Sequence, residues 1–376
     1  MKQQRRTFLG KMMAGAATLV ALPLLGSSTK RSEKTKIDMK KNPVIKTTAL
    51  GFQWETADPF LFCVHHEDKY PKGNEAMGPE TSSLEGRHLG QDFILKEGWR
   101  MYHGQEVPGF PGHPHRGFET ITVVREGVVD HADSQGGAGR YGNGDVQWMT
   151  AGKGLQHSEM FPLVHKDKEN HMELFQIWLN LPKKSKMVEP HFKMLWNDTI
   201  PVLLLNESKI SIEVIAGKIN DQVAPSPPPN SWASEELNTV GIFNIKLEAG
   251  GTFELTPAGE GVNRTVYYYE GNDLKLANEK IPHYHSVTVD PTEKLVFQNG
   301  DEVSKVLILQ GKPIDEPVVQ HGPFVMNTRE EIQEAFNDYN ATQFGGWPWD
   351  KYDQVHDRDS SRFALHADGT REDKES

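Results

Sequence analysis

Two histidines flank a proline in Gly112-His113-Pro114-His115-Arg116-Gly117, and a third stands two residues before a carboxylate in His157-Ser158-Glu159. Three imidazoles and one carboxylate make a donor set for a borderline divalent metal such as iron, nickel, manganese or zinc. Side chains alternate faces on extended backbone, so an H-x-H pair points both rings to one side, and His157 with Glu159 repeats that spacing. Two such pairs on neighbouring strands can close around one ion and leave coordination positions open for water or substrate. Glu159 then has two possible roles. As a permanent ligand it lowers the net charge of the site; held more loosely, it takes the proton of a substrate hydroxyl as a general base.

The elements that must position these groups read as strands. Phe118 to Val129 is rich in Thr, Ile and Val and broken at Glu126-Gly127, which predicts a hairpin. Gly142-Asn143-Gly144-Asp145 predicts a turn into a short strand through Val146, Trp148 and Met149. Gly152 and Gly154 let the backbone turn before His157 enters its strand. Glu173 to Leu181 predicts a longer strand buried on both faces, and Ile210, Ile212 and Val214 alternate with polar residues as a half-buried one. Pro225-Ser226-Pro227-Pro228-Pro229-Asn230 is a stiff connector or loop, after which strand patterns resume over Phe243–Leu247, Thr265–Tyr269 and Val303–Leu309. A helix is predicted where Thr328 and Glu331 form a capping box ahead of Ile332, Ala335, Phe336 and Tyr339. The fold class is therefore all-β, with two tandem β-barrels and a short C-terminal helix.

Composition narrows the functional classes. A formal net charge of −11 argues against nonspecific nucleic-acid binding through a basic surface. Cys63 is the single cysteine, so an intramolecular disulfide is excluded and a thiolate metal site is disfavoured. At the N-terminus, Arg5-Arg6-Thr7-Phe8-Leu9 precedes an apolar stretch from Met12 to Leu25, short for a membrane span of about 20 residues. The segment resembles a twin-arginine export signal, with Lys11 one place later than usual, and cleavage is expected near Ser27 or Ser28. The expected layout is a leader over 1–28, a linker over 29–42, a first barrel carrying the metal over 43–182, a second barrel without one over 183–348, and a charged, loosely ordered tail over 349–376.

Several longer stretches resemble the pirin family of the cupin superfamily. They are His113-Pro114-His115-Arg116-Gly117-Phe118-Glu119-Thr120, Gly144-Asp145-Val146-Gln147-Trp148-Met149-Thr150-Ala151-Gly152-Lys153-Gly154, and His157-Ser158-Glu159-Met160. Leu309 to Ile314 and Gly322 to Glu331 add to the match in the C-terminal half. The resemblance implies a bicupin of two jelly-roll barrels with one metal, most often iron, held by His113, His115, His157 and Glu159. It also implies an activity, the opening of the central ring of flavonols such as quercetin by O2 with release of carbon monoxide. Other members are regulatory partners of transcription factors, which an export signal contradicts.

The working expectation is thus an exported, monomeric, metal-dependent dioxygenase that takes a small phenolic substrate and O2, with Fe(II) as the metal and Ni, Mn or Zn as alternatives. It touches neither nucleic acid nor, once the leader is removed, membrane, and it works in the periplasm or elsewhere outside the cytoplasm. A non-enzymatic metal-containing binding or regulatory protein is the alternative, and metal-assisted hydrolysis or isomerisation a third. His283 and His285 repeat the H-x-H spacing, but no H-x-E follows, and Gly259-Glu260-Gly261-Val262-Asn263 has no histidine. They are expected to pack or to face solvent, as are His65, His66, His103 and His171. Trp148 and Met149 are expected either to line the pocket or to fill the core, and Trp347 and Trp349 to pack.

Overall fold

The strand Phe118–Glu126 shows why this chain folds as stacked sheets. Thr120 and Thr122 alternate with Ile121 and Val123, and both sets are buried, so each face of the strand needs its own partner layer. In the computed structural model, which describes residues 42–374, that strand lies inside a six-stranded antiparallel sheet. Its order is His191–Leu195, Val146–Thr150, Phe118–Glu126, Asn170–Asn180, Phe60–Tyr70, Gln53–Trp54. A second six-stranded sheet completes the first barrel, in the order Arg371–Lys374, Arg362–Leu365, Ala138–Gly142, Val128–Asp133, Leu155–Met160, Gly109–His115. The leader, and the linker up to residue 41, lie outside the described residues.

The second barrel has a seven-stranded sheet that includes Ile210–Ala216, Gly241–Leu247, Asn263–Glu270, His285–Val289 and Ser304–Gly311, beside a four-stranded one. Its interior is an apolar cluster in which Ile212, Val214, Ile245, Val266 and Ile308 are fully buried. The barrels pack sheet against sheet. Ile121, Trp148 and Ile177 from the first meet Ile242, Tyr267 and Leu307 from the second in one core, where Trp54 stacks on Tyr267 at 5.1 Å. The chain is all-β with two barrels and a short helix, Arg329–Thr342, capped by Thr328 and Glu331 as the sequence predicts.

Three local readings need correction. The stretch from Phe118 to Val129 is not a hairpin: Phe118–Glu126 and Val128–Asp133 belong to opposite sheets. Gly127, with φ +82°, turns the chain from one sheet to the other. A Cβ at that position would stand 2.7 Å from the His171 carbonyl oxygen, so only glycine fits the corner. The acidic and basic tail is ordered, because Arg362–Leu365 pairs with Ala138–Gly142 and Arg371–Lys374 adds beyond it. Arg140 fastens the tail: it binds Asp130 at 2.6 and 2.7 Å and donates to the carbonyls of Asp357 and Ser360.

The third correction concerns the barrel limits. Val44–Ala49 pairs with His285–Val289 of the second barrel, while His191–Leu195 pairs with Val146–Thr150 of the first. Strands near the expected boundaries therefore cross over, since each finds an open sheet edge on the other barrel. Of the two places expected for Trp148 and Met149, the structure shows the core: Trp148 belongs to the core between the barrels and Met149 to the first barrel's own core.

Candidate metal centre

Two neighbouring strands carry the predicted residues. Gly109–His115 runs antiparallel to Leu155–Met160, with His113 opposite His157 and a bulge between Phe110 and His113. The bulge sits at Pro111-Gly112, where the Gly112 N–H bonds outward to the Tyr352 carbonyl at 2.7 Å instead of to the neighbouring strand. Beyond it His113 and His115 share one face, as the H-x-H spacing requires. Ring centroids lie 4.8 Å apart for His113–His115, 4.6 Å for His113–His157 and 4.9 Å for His115–His157. One ring nitrogen from each comes within 4.8 Å of the others.

These imidazoles are set up as lone-pair donors. His113 Nδ1 donates to the Pro111 carbonyl at 2.9 Å, which leaves Nε2 unprotonated for a ligand. Both nitrogens of His157 and Nδ1 of His115 are buried without a hydrogen-bond partner among the described residues. Buried polar atoms without partners are costly, and those of His115 and His157, in a cluster where each ring offers one nitrogen, fit a cation that the side chains themselves do not supply. Burial pushes the His113 imidazole down to about 4, and burial with the neighbouring imidazoles holds His115 and His157 well below the usual histidine range. All three are neutral at pH 7, as metal ligation demands.

Glu159 sits beside this triad, with Oε2 3.9 Å from His157 Nε2. Its carboxylate accepts hydrogen bonds from Thr122 Oγ1 at 2.6 Å, Tyr141 OH at 3.1 Å and Gln176 Nε2 at 2.6 Å. Burial nevertheless raises its pKa, opposed by those donors and by His131. His131, opposite Glu159 in the strand register, is fully buried with its ring 5.7 Å from His157 and its Nε2 3.1 Å from Asp133 Oδ2. The sequence reading passed over His131, although its H-x-D spacing with Asp133 on a strand was the available signal.

A cleft of about 620 Å³ opens over His113 and His115, with His157 behind them. His113, His115 and Gln176 reach it from the metal side, while Phe52, Phe62, Phe93, Phe110 and Trp178 form aromatic walls. Glu159 does not line it and is only 1% exposed. His66 and His103, expected to be structural or at the surface, also line the cleft. Gln176 and Trp178 escaped notice because a strand buried on both faces does not reveal which alternate residues face a cavity. His65 turns the other way, its Nε2 3.1 Å from Glu173 Oε1. His171 pairs with Glu126 at the surface, and His283 and His285 each give Nδ1 to a backbone carbonyl. Trp347 stacks on Tyr352 at 5.3 Å, and Trp349 Nε1 donates to the Asp133 carbonyl.

Comparison with known proteins agrees with this geometry. Residues 44–179 match the family described as Pirin, and residues 242–345 match the Pirin C-terminal cupin domain. A pirin-like protein of Caulobacter vibrioides is 38% identical over 243 residues, 63% of this chain and 80% of that protein. Pirin of Rattus norvegicus is 33% identical over 277 residues, 71% of this chain and 85% of that protein. A crystal structure of quercetin 2,3-dioxygenase from Acinetobacter baumannii superimposes with a TM-score of 0.64 at 28% identity, covering 81% of this chain and 98% of the other. With both barrels matched and three imidazoles gathered at the spacing that first suggested a metal, the chain belongs to the pirin family.

Proposed function

We propose that this protein is a metal-dependent dioxygenase that opens the central ring of flavonols such as quercetin, or of related phenolics, with O2. The observation that carries the reading is the convergence of three neutral imidazoles, His157 and His115 buried and His113 partly so, with His113 and His115 facing an aromatic-walled cleft. The Acinetobacter baumannii structure, a quercetin 2,3-dioxygenase, supports the choice of reaction. In this reading His113, His115, His157 and Glu159 hold one divalent ion, Fe(II) first, with Ni, Mn or Zn as alternatives. When bound, such an ion supplies Lewis acidity that lowers the proton affinity of a hydroxy-ketone beside it and makes that group oxidisable by O2.

The remaining work falls to the chain. The aromatic walls stack on a flat substrate and exclude water. The His113 bond to Pro111 fixes which nitrogen faces the ion. Glu159, oriented by Thr122, Tyr141 and Gln176, is assigned both roles open to it: fourth ligand, and acceptor of the substrate hydroxyl proton. Gln176 touches Glu159 and also lines the cleft, so it links the proton acceptor to the substrate space. We assign the protein to an exported, monomeric state. Cell fractionation of Arg5→Lys/Arg6→Lys variants and sedimentation of the purified chain test those two points.

The central test follows quercetin absorbance with protein loaded with each of the four metals, under air and under nitrogen. Bleaching that needs oxygen and is lost in H113A is the expected result. Glu159→Gln keeps the shape and removes the charge, and should slow turnover more than it lowers metal content. No oxygen-dependent change with any metal would leave a metal-containing binding protein in place of an enzyme.

A further inference from the structure

One buried hydrogen-bonded chain ends in the cleft and has no part in the metal site. Arg100 Nη1 donates to Asp68 Oδ1 at 3.1 Å, and Tyr102 OH donates to Asp68 Oδ2 at 2.5 Å. His66 Nδ1 lies 2.7 Å from the same Tyr102 oxygen. Asp68 and Tyr102 are fully buried and His66 is 3% exposed. Burial raises the Asp68 carboxyl to about 7, against the bonds from Tyr102 and Arg100, so above that pH the carboxylate takes the single phenol proton and the Tyr102 oxygen accepts from His66 Nδ1–H. With Asp68 ionised the His66 tautomer is set, and Nε2 is left with a lone pair and no hydrogen bond among the described residues. Burial pushes the His66 imidazole down to about 3, aided by repulsion from His65 and Arg100, so the ring stays neutral and Nε2 stays an acceptor.

The ring is also clamped. Tyr102 meets it edge-on at 4.8 Å, Phe110 at 5.9 Å and Phe52 at 6.0 Å. In the strand register His66 lies opposite Leu174, and Val64 opposite Gln176, the residue that holds Glu159. His66 therefore stands two residues, about 6.6 Å, along its strand from the level of Gln176. The cleft thus presents, among aromatic walls and beside the polar Gln53, His103 and Gln105, an oriented neutral acceptor set apart from the metal side. Such a group repels carboxylates, which are acceptors themselves, and the nearby Arg100 guanidinium disfavours ammonium ions. A phenolic hydroxyl on a flat ring fits both the acceptor and the walls.

We infer that His66, positioned by Tyr102 and Asp68, reads a hydroxyl of a polyphenol remote from the atoms held at the triad, and so selects polyhydroxylated over deoxygenated substrates. The inference rests on the phenolic reading of the cleft and adds a specificity-determining residue to it. A site that offers a hydrogen bond rejects an analogue unable to make it, because its own polar group is left dry and unpaired.

Binding without turnover tests it. Metal-loaded protein under nitrogen is titrated with quercetin and with 3-hydroxyflavone, which keeps the keto-enol but lacks the remote hydroxyls, and quenching of tryptophan fluorescence is read. Wild type should bind quercetin about 10-fold more tightly, and His66→Phe should bring the ratio to about one by weakening quercetin alone, at unchanged metal content. If H66F fails to fold, His66→Leu is the second variant. A ratio retained in the variant, or both ligands weakened equally, overturns the role of His66. Equal affinity of wild type for the two flavonols also overturns it while the dioxygenase reading stands; binding of neither flavonol overturns both.

Discussion

The two barrels share an architecture and differ in what they put inside. In the first, the inward positions of adjacent strands carry Thr122, His131, His157, Glu159 and Gln176, all polar, and most are joined to one another by hydrogen bonds. In the second, the interior is Ile212, Val214, Phe243, Ile245, Val266 and Val306, close-packed and dry. The faces with which the barrels meet are apolar in both, since Ile121 and Ile177 oppose Ile242 and Leu307. The fold is thus held by apolar faces that the two halves have in common, and chemistry enters where one barrel's interior is polar. A polar interior is tolerable only if each group finds a partner. Glu159 has three, whereas both nitrogens of His157 and Nδ1 of His115 have none among the described residues, and this imbalance is the physical case for a bound cation.

The largest expected effect breaks the comparison outright. His157→Ala should reduce metal retention after dialysis by more than about 100-fold, read by elemental analysis, while His285→Ala in the second barrel leaves it unchanged. Conversely, Ile245→Ala in the second barrel should lower unfolding stability by about 3 kcal/mol in urea titrations with metal stoichiometry intact. If it strips the metal instead, the two interiors are not independent. Removing single donors to Glu159, by Thr122→Val or Tyr141→Phe, should weaken metal binding by about 10-fold in competition with a chelator.

A subtler effect lies where the connector meets the first barrel. Burial pushes the Glu119 carboxyl up to about 7, against hydrogen bonds from Ser231 of the connector and from Thr150. A buried acid whose folded pKa is raised binds its proton more tightly in the native state. Its contribution to stability therefore declines as pH rises from the ordinary carboxyl range through about 7. Glu119→Gln should flatten that slope in urea titrations between pH 5 and pH 8; an unchanged slope would show the group to be ionised throughout. The smallest effect belongs to the tail: Lys374→Ala, which removes the solvent-screened pair with Asp198, should leave the urea midpoint nearly unchanged, and more nearly so in high salt.

The sequence alone determined the donor atoms. Spacing by two residues on extended chain is a local property, so His113, His115 and His157 could be read as a converging set before any sheet was known. The capping box of Thr328 and Glu331 was equally local, and held. What failed depended on which strand lies beside which. Residues on either side of Gly127 look like one hairpin until the glycine turns them into separate sheets. The charged tail looks loose until Arg140 and Asp130, more than two hundred residues away in the chain, give it an edge to pair with. Trp148 and Gln176 are both strand residues, yet one faces the other barrel and the other faces the cleft.

His66 is the plainest instance. Beside His65 in the chain it is one of two adjacent imidazoles; in the fold one turns to Glu173 and the other, bonded to Tyr102, lines the cleft. The chain by itself determined which atoms can bind a metal, because ligand type and alternation are written residue by residue. Only the tertiary structure decided which of them share a cavity, which are dry and unpaired, and which acceptor stands beside them, because burial and register are properties of strands brought together from distant parts of the chain.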